Sequence, residues 1–153
     1  MAEAAVLASG NGSNFEALTH YLNTTEHRIC CLICDREKAY ALERAKRLSI
    51  PGYYIPGWGK NREAAETEAL RILQDYNPHI VILAGFMRVL TPLFLDAWPN
   101  KVVNIHPSLL PKYPGTRGIE DSYASGDREV GITIHLVDSG VDTGPVLLQK
   151  KIL

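Results

Sequence analysis

Short apolar runs alternate with longer amphipathic segments along the chain. The runs cover residues 4–8, 29–34, 80–84 and 102–105, and each is nearly continuous rather than interrupted by polar positions. Continuous apolar runs of this length predict strands that are buried on both faces of a sheet. Strands that alternate with helices predict right-handed crossovers, so the pattern indicates an α/β fold with a doubly wound, mostly parallel sheet.

The segments between the runs carry the periodicity of helices. Residues 36–50 place alanine and leucine side chains on one face, and Asp35 is in position to cap this helix at its N-terminus. A second helix is predicted over residues 62–76, because its apolar stripe is followed by Asn77 and Pro78, which end a helix. In a sheet covered by such helices, ligands bind beyond the carboxyl ends of the strands.

Composition narrows the class of protein. The chain has 153 residues, of which 46% are hydrophobic and 22% charged, and this fits one compact domain over residues 1–153. Its net charge of -1 gives no overall field that would attract nucleic acid or an anionic membrane. No basic segment precedes the first apolar run and no stretch is long enough to cross a bilayer, so a cytoplasmic protein is expected.

Three cysteines, Cys30, Cys31 and Cys34, lie in one apolar run. A closed zinc site needs four ligands, and no second pair of cysteines or histidines follows at ligand spacing. The cysteines are therefore interpreted as core thiols, and no metal is expected.

A glycine-rich segment, ASGNGSNF, follows the first predicted strand. Gly10 and Gly12 allow a tight turn, and Ser13 or Asn14 can start a helix whose free N–H groups point at an anion. The segment predicts a phosphate-binding loop, with an ordinary glycine turn as the alternative.

Dinucleotide binding is a competing interpretation of this loop. Asp35 lies about twenty residues further on, where a ribose-binding acid would stand in an NAD-binding domain. Phe15, however, occupies the position of the third glycine in the dinucleotide fingerprint. Asp35 is therefore interpreted as a helix cap.

The segment AGFMRVL, residues 84–90, runs from a buried strand into apolar residues around a single cation, Arg88. Apolar side chains beyond a strand end can line a pocket for a flat organic ring, with Arg88 free to hold a carboxylate. A turn of helix that covers the core is the alternative, and the segment taken alone favours it.

The segment NIHPSLLPKYPG, residues 104–115, places an amide and an imidazole at the end of a predicted strand. Strand alternation puts Asn104 and His106 on one side and Ile105 on the other, towards the core. Three prolines restrict the chain that follows and favour a stiff frame for the two polar groups. The pair is a candidate for acid–base catalysis, with a structural histidine as the alternative.

The segment GITIHLVDSGVDTGP, residues 131–145, predicts a strand that carries His135 on the face opposite its isoleucines. The loop after this strand contains Asp138 and Asp142. A plain surface turn is one interpretation of the loop. A carboxylate brought close to His106 would instead favour the imidazolium and raise the pKa of that histidine.

Together and in this order, the four segments resemble the folate-dependent formyltransferase family, and within it the glycinamide ribonucleotide (phosphoribosylglycinamide) formyltransferases of purine biosynthesis. The resemblance spans the chain from Ala4 to Leu153. It implies a Rossmann-like formyltransferase fold and transfer of a formyl group from 10-formyltetrahydrofolate to the amine of glycinamide ribonucleotide. It also implies small-molecule substrates and no metal.

The resemblance implies a role for each motif. Asn104, His106 and Asp142 match the family's catalytic trio. His135 matches the histidine that supports the aspartate. The substrate phosphate is expected at the glycine-rich loop, which comprises Gly10, Asn11, Gly12, Ser13 and Asn14. The folate pterin is expected to be bound, largely through the main chain, by Phe86, Met87, Arg88, Val89, Leu90, Val137, Asp138, Gly140 and Val141.

The family continues beyond the segment VLLQKKIL with a stretch whose C-terminal helix contributes to the phosphate site, whereas this chain ends at Leu153. Two alternatives therefore stay open. One is another enzyme that uses 10-formyltetrahydrofolate, of the methionyl-tRNA formyltransferase or formyltetrahydrofolate hydrolase type. The other is an inactive truncated module that binds a nucleotide or folate. A surface left uncovered would favour association into a homo-oligomer.

Overall fold

The computed structural model describes residues 1–106, 110, 130–138 and 144–152. Its strands are β1 (Glu3–Ala8), β2 (Arg28–Cys34), β3 (Gly52–Tyr54), β4 (Ile80–Leu83), β5 (Val102–His106), β6 (Val130–Leu136) and β7 (Val146–Ile152). Its helices are α1 (Ser13–Leu22), α2 (Tyr40–Arg47), α3 (Arg62–Tyr76) and α4 (Pro92–Ala97). Within the described ranges, no helix has the length and hydropathy of a membrane span.

The strands form one sheet in the order β3-β2-β1-β4-β5-β6-β7. The pairings among β1 to β5 are all parallel, and β6 and β7 extend the sheet antiparallel. The predicted mostly parallel sheet is therefore confirmed. Strands β2 and β3 lie on one side of β1, and β4 to β7 lie on the other. The boundary between β1 and β4 is therefore the topological switch point, where open α/β sheets bind their ligands.

The two faces of the sheet are covered by different helices. Ala5 and Leu7 of β1 belong to the core that α3 and α4 cover, whereas Val6 and Ala8 belong to the core under α1 and α2. Alternate residues of one strand thus enter two separate cores, as the pleat of a strand requires. Complete burial of a side chain such as Leu7 contributes roughly 2 kcal/mol relative to exposure.

Helix α3 begins and ends as the sequence predicts. The side chain of Asn61 caps it by accepting a hydrogen bond from the backbone N–H of Ala64 at 3.1 Å. Asn77 adopts φ 48° just after the last turn, and Pro78 follows. The prediction of a helix over residues 62–76 is confirmed.

The prediction for the helix after β2 is partly wrong. Helix α2 begins only at Tyr40, its N-cap residue is Ala39, and no side chain caps it within the described residues. Asp35 is therefore not a helix cap. The carboxylate of Asp35 instead accepts a hydrogen bond from Arg88, and a buried charged contact of this kind outweighs a cap that is worth about 1 kcal/mol.

The cysteines lie where the sequence predicts. Cys30, Cys31 and Cys34 are all buried free thiols, and each belongs to one of the two cores. Burial, together with the neighbouring carboxylate of Asp35, raises the pKa of Cys34 to about 12. The interpretation as core thiols is confirmed, and the Cys34 thiol is protonated at neutral pH.

Candidate active site

The glycine-rich loop joins β1 to α1 and leaves the start of that helix open. Gly12 is the N-cap residue and adopts φ 80°, and no side chain caps the helix within the described part of the chain. The first bond of the helix runs from the N–H of Glu16 to the carbonyl of Gly12 at 2.9 Å. The N–H groups before Glu16 therefore lack partners within the helix and can bind an anion.

Helix α2 holds the loop in place from the side. The N–H of Ala41 donates to the carbonyl of Gly10 at 3.1 Å. Arg44 donates through Nε to the carbonyl of Asn11 at 2.8 Å and through Nη2 to its Oδ1 at 2.5 Å. A Cβ atom on Gly12 would stand 2.6 Å from the Cβ of Ala41, so only glycine fits there.

A carboxylate from α1 completes the support of the loop. Nη1 of Arg44 lies 3.1 Å from Oε1 of Glu16, and Nη2 of Arg47 lies 3.1 Å from the same oxygen. The hydrogen bond from Arg44 is the main cause that holds the pKa of Glu16 below its ordinary value of about 4.5. Glu16 thereby links α1 to α2 around the loop.

A cavity of about 230 Å³ opens between this loop and the end of β4. Two hydrogen bonds connect its walls: the N–H of Ser9 donates to Gly85 at 3.1 Å, and the N–H of Met87 donates to Oγ of Ser9 at 2.8 Å. No pattern in the sequence distinguished Ser9, or the exposed Arg36 that also lines the cavity. Its lining is Ser9, Gly10, Asn11, Gly12, Ser13, Asn14, Arg36, Ala84, Gly85 and Met87.

The predicted folate segment after β4 divides into exposed and buried residues. Met87 and Val89 are exposed, whereas Leu90 is 2% exposed and belongs to the core. Phe86 packs edge-on against the buried Trp58, with ring centroids 5.2 Å apart. The side chains of Phe86 and Leu90 thus pack against the protein interior. A ligand can contact the main chain of this segment and its exposed side chains.

Arg88 is not the free cation that the sequence predicts. Its Nε lies 2.8 Å from Oδ2 of Asp35, whose side chain is completely buried. The Arg88 side chain is nevertheless 33% exposed to solvent. The expectation of an unpaired guanidinium was wrong, because sequence spacing alone does not indicate that the ends of β2 and β4 approach each other. The binding of a carboxylate by Arg88 stays a prediction.

Asn104 and His135 are brought together by the register of β5 and β6, where they stand directly opposite each other. Nδ2 of Asn104 lies 3.4 Å from Nε2 of His135. Nδ1 of His135 lies 2.9 Å from the carbonyl oxygen of Leu136, so Nδ1 must carry the proton, because a carbonyl only accepts. The amide of Asn104 turns its NH₂ group towards Nε2 of His135.

The remaining predicted catalytic residues are only partly described. The backbone of His106 pairs with Thr133 in β6, and its side chain lies outside the described residues. Asp142, Gly140 and Val141 also lie outside them. The meeting of Asn104, His106 and Asp142 in one crevice therefore stays a prediction.

The two described residues of the second predicted folate segment differ in environment. The N–H of Val137 donates to the carbonyl of Val102 at 2.8 Å, and its side chain packs against the core. Asp138 is exposed. Gly144 ends this segment, and a Cβ atom there would overlap the carbonyl oxygen of Leu136.

Thr133 and Gln149 hold the chain that follows the Asn104 motif. Oγ1 of Thr133 accepts from the N–H of Leu110 at 3.1 Å and from Nε2 of Gln149 at 3.0 Å. Nε2 of Gln149 also donates to the carbonyl of Leu110 at 2.9 Å. Nothing in the sequence distinguished these residues, because their role depends on the pairing of β6 with β7.

Comparison with known proteins identifies the class. Residues 2–153 match the family described as formyl transferase. A phosphoribosylglycinamide formyltransferase of Bacillus subtilis (strain 168) is 39% identical over 99% of this chain and 80% of its own length. The chain therefore belongs to the formyl transferase family, and the predicted membership of the one-carbon transferases is confirmed.

Two further matches agree with membership of the formyl transferase family. The solved structure of glycinamide ribonucleotide transformylase 1 from Geobacillus kaustophilus has a TM-score of 0.92 and 41% identity over 100% of this chain and 84% of its own. A trifunctional purine biosynthetic protein of Chironomus tentans is 41% identical over 95% of this chain and 11% of its own length. The structural match confirms the predicted formyltransferase fold.

Proposed function

We propose that this chain transfers the formyl group of 10-formyltetrahydrofolate to the amine of glycinamide ribonucleotide, a reaction of de novo purine biosynthesis. The observation that carries the choice of acceptor is the open start of α1 behind Gly12, which shares a cavity with Met87 of the folate segment. An acceptor with a ribose phosphate needs an anion site near the formyl donor. The relatives named above support the same substrate.

The phosphate of the acceptor is proposed to bind at the glycine-rich loop. The N–H groups at the start of α1 donate to its oxygens, and the positive end of the helix dipole favours its charge. The bonds from Ala41 and Arg44 fix the loop in the free protein. Binding then costs little ordering of the loop.

The reaction needs donors for an oxygen that becomes negative. The acceptor amine attacks the formyl carbon, its electron pair forms the new C–N bond, and charge grows on the formyl oxygen. Asn104 and protonated His106 are proposed to donate to that oxygen. The nitrogen of the folate then leaves with the electron pair of the broken C–N bond.

A proton must pass from the acceptor amine to the leaving nitrogen. Asp142 is proposed to keep His106 charged and to orient a water that carries this proton. His135 is proposed to support Asp142, as the resemblance implies, and its contact with Asn104 also fixes the amide. Exposed groups of residues 86–90 and the segment from Val137 to Val141 are proposed to bind the pterin, mainly through the main chain.

A comparison of acceptors tests this function. The chain is incubated with 10-formyltetrahydrofolate and either glycinamide ribonucleotide, methionyl-tRNA or water alone, and released tetrahydrofolate is measured. We expect release only with glycinamide ribonucleotide. Release with methionyl-tRNA or with water would favour the other two enzyme classes, and folate binding without release would favour an inactive module.

We also propose a cytoplasmic location and association into a homo-oligomer. Reduced, buried cysteines are typical of a reducing compartment. Val146, Leu147 and Leu148 of β7 are each about half exposed, and apolar side chains on an outer strand favour self-association. Light scattering over a range of protein concentrations tests the association, since a monomer mass at every concentration would contradict it.

A further inference from the structure

Asp35 and Arg88 form an ion pair between the segments that leave the two strands flanking β1. Asp35 directly follows β2, and Arg88 lies shortly after β4, so the pair joins these segments at the carboxyl edge of the sheet. Met87, the residue before Arg88, lines the cavity described above. The ion pair therefore stands beside the proposed binding site.

The ion pair uses one nitrogen of Arg88 and one oxygen of Asp35. Nε of Arg88 donates to Oδ2 of Asp35 at 2.8 Å, while Oδ1 of Asp35 is buried and has no hydrogen-bond partner among the described residues. No other hydrogen bond or ion pair is recorded for this guanidinium in the described part of the chain. Arginine–carboxylate pairs are frequently bidentate, whereas this pair uses one oxygen and one nitrogen.

The guanidinium of Arg88 lies beside Gly59. A Cβ atom at Gly59 would stand 3.3 Å from Nη1 of Arg88, so the missing side chain leaves room for the guanidinium. The Arg88 side chain is nevertheless 33% exposed. Arg88 is thus fixed through Nε, while a third of its side-chain surface stays exposed to solvent.

We propose that Asp35 is a positioning residue that orients Arg88 for an anionic carboxylate of the folate substrate. The inference rests on the proposed function and adds a residue to it. A free arginine loses rotamer freedom when it is immobilised. The buried carboxylate of Asp35 already immobilises Arg88 when the protein folds. Ligand binding therefore does not reduce the conformational entropy of this side chain further.

The test is the binding of folic acid and of its dimethyl ester, measured by calorimetry. Asp35→Asn keeps the size of the side chain and removes its charge. We expect Asp35→Asn to bind folic acid roughly tenfold more weakly than the wild-type chain and the uncharged ester equally well. Glu37→Gln, which removes an exposed carboxylate two positions away, is the matched control and should change neither.

A second variant separates positioning from simple stabilisation. Arg88→Lys keeps a cation beside Asp35, so the fold is retained, but it cannot offer Nε and Nη nitrogens together. Because Asp35 acts through Arg88, the two changes combined should weaken folic acid binding no more than Arg88→Lys alone. In formyl transfer, Asp35→Asn should raise KM for the folate roughly tenfold and change kcat less than twofold.

Three results would each overturn the inference. The first is that Asp35→Asn weakens the binding of the acid and of the ester equally, and the second is that the effects of the two variants on folic acid binding are additive. The third is that the wild-type chain does not bind folic acid. Formyl transfer with an unchanged folate KM in Asp35→Asn would overturn it while leaving the proposed function intact. Acid-specific loss of folic acid binding without any formyl transfer would support the inference and contradict the function.

Discussion

At the scale of single residues, Asn104 is the described side chain on which the proposed chemistry depends most. His135 stands opposite it in the neighbouring strand and is 2% exposed, and its Nδ1 lies 2.9 Å from the carbonyl oxygen of Leu136. The Asn104 amide is therefore oriented before any ligand arrives. An oriented amide stabilises a developing oxyanion without reorganisation at the moment of reaction.

Replacement of Asn104 tests this role. We expect Asn104→Ala to lower kcat about 100- to 1,000-fold, because one donor to the oxyanion is lost. KM for both substrates should change little, since the donor acts mainly in the transition state. Steady-state kinetics measure both constants, and Asn23→Ala, at an exposed position after α1, is the control. A kcat within threefold of the wild-type value would contradict the assignment.

The ion pairs of Glu16 predict a dependence of stability on pH. The pKa of Glu16 is held below its ordinary value of about 4.5, so its stabilising effect is complete above that pH. The effect is lost as the pH falls through the lowered pKa, because protonation removes the charge that faces Arg44.

Urea unfolding of wild-type protein and Glu16→Gln at pH 6 and pH 3 measures this effect. The difference in unfolding free energy between the two proteins should be larger at pH 6. Glu26→Gln, which removes an exposed carboxylate, is the control. A difference that stays constant or grows towards pH 3 would contradict the role of Glu16.

The residue scale also marks the limit of the sequence analysis. The interpretations of Asp35 as a helix cap and of Arg88 as an unpaired cation were wrong for one reason, because the two residues form an ion pair across the sheet edge. The two residues are far apart in sequence, and no local pattern indicates their contact. The placement of Asn104 opposite His135 could be predicted only in part, since strand alternation gives the face but not the register.

At the scale of elements, the glycine-rich loop and α2 form one unit. Gly12 adopts φ 80°, and its missing side chain allows contact with Ala41. The sequence predicted the glycine turn and a helix start at Ser13 or Asn14, because these depend on local conformation, and the helix begins at Ser13. It did not predict that α2 supports the loop, which requires the packing of α1 beside α2.

Gly12→Ala tests the close approach of loop and helix. The substitution adds strain at positive φ, about 1–2 kcal/mol, and forces a Cβ atom to within 2.6 Å of Ala41. Gly57→Ala is a matched control, because Gly57 has φ 90° and no atom within 4 Å of an added Cβ. The control carries the same kind of backbone strain without the clash.

We expect Gly12→Ala to be less stable than Gly57→Ala by at least about 1 kcal/mol in urea unfolding, because the clash adds overpacking to the backbone strain. We also expect only Gly12→Ala to raise KM for glycinamide ribonucleotide. Equal effects of the two substitutions on stability and on KM would show that the contact with Ala41 does not matter.

At the scale of the whole molecule, the apolar runs predicted most of the central sheet. Strands β1, β2, β4 and β5 and helix α3 follow from patterns that are local and strong. Strands β3 and β7 and helix α4 had not been predicted. Gly52–Tyr54 is only three residues long, and Val146–Ile152 leaves Leu147 and Leu148 exposed, so neither has the pattern of a buried strand.

The arrangement of the whole sheet gives the proposed function its geometry. The glycine-rich loop follows β1, the folate segment follows β4, and Asn104 lies in β5, which pairs with β4. Parallel strands in this order bring all three to one edge of the sheet. The glycine-rich loop, the folate segment and the Asn104 amide are thereby neighbours, although they are far apart in sequence.

The most direct test of the account is a single-turnover measurement with 10-formyltetrahydrofolate and glycinamide ribonucleotide, in which formylated product is quantified by mass spectrometry. The wild-type chain is compared with Asn104→Ala, His106→Ala and Asp142→Asn. We expect formylated glycinamide ribonucleotide from the wild-type chain and a rate at least about 100-fold lower from each variant. Absence of product from the wild-type chain, or product formation by all four proteins at the same rate, would contradict the account.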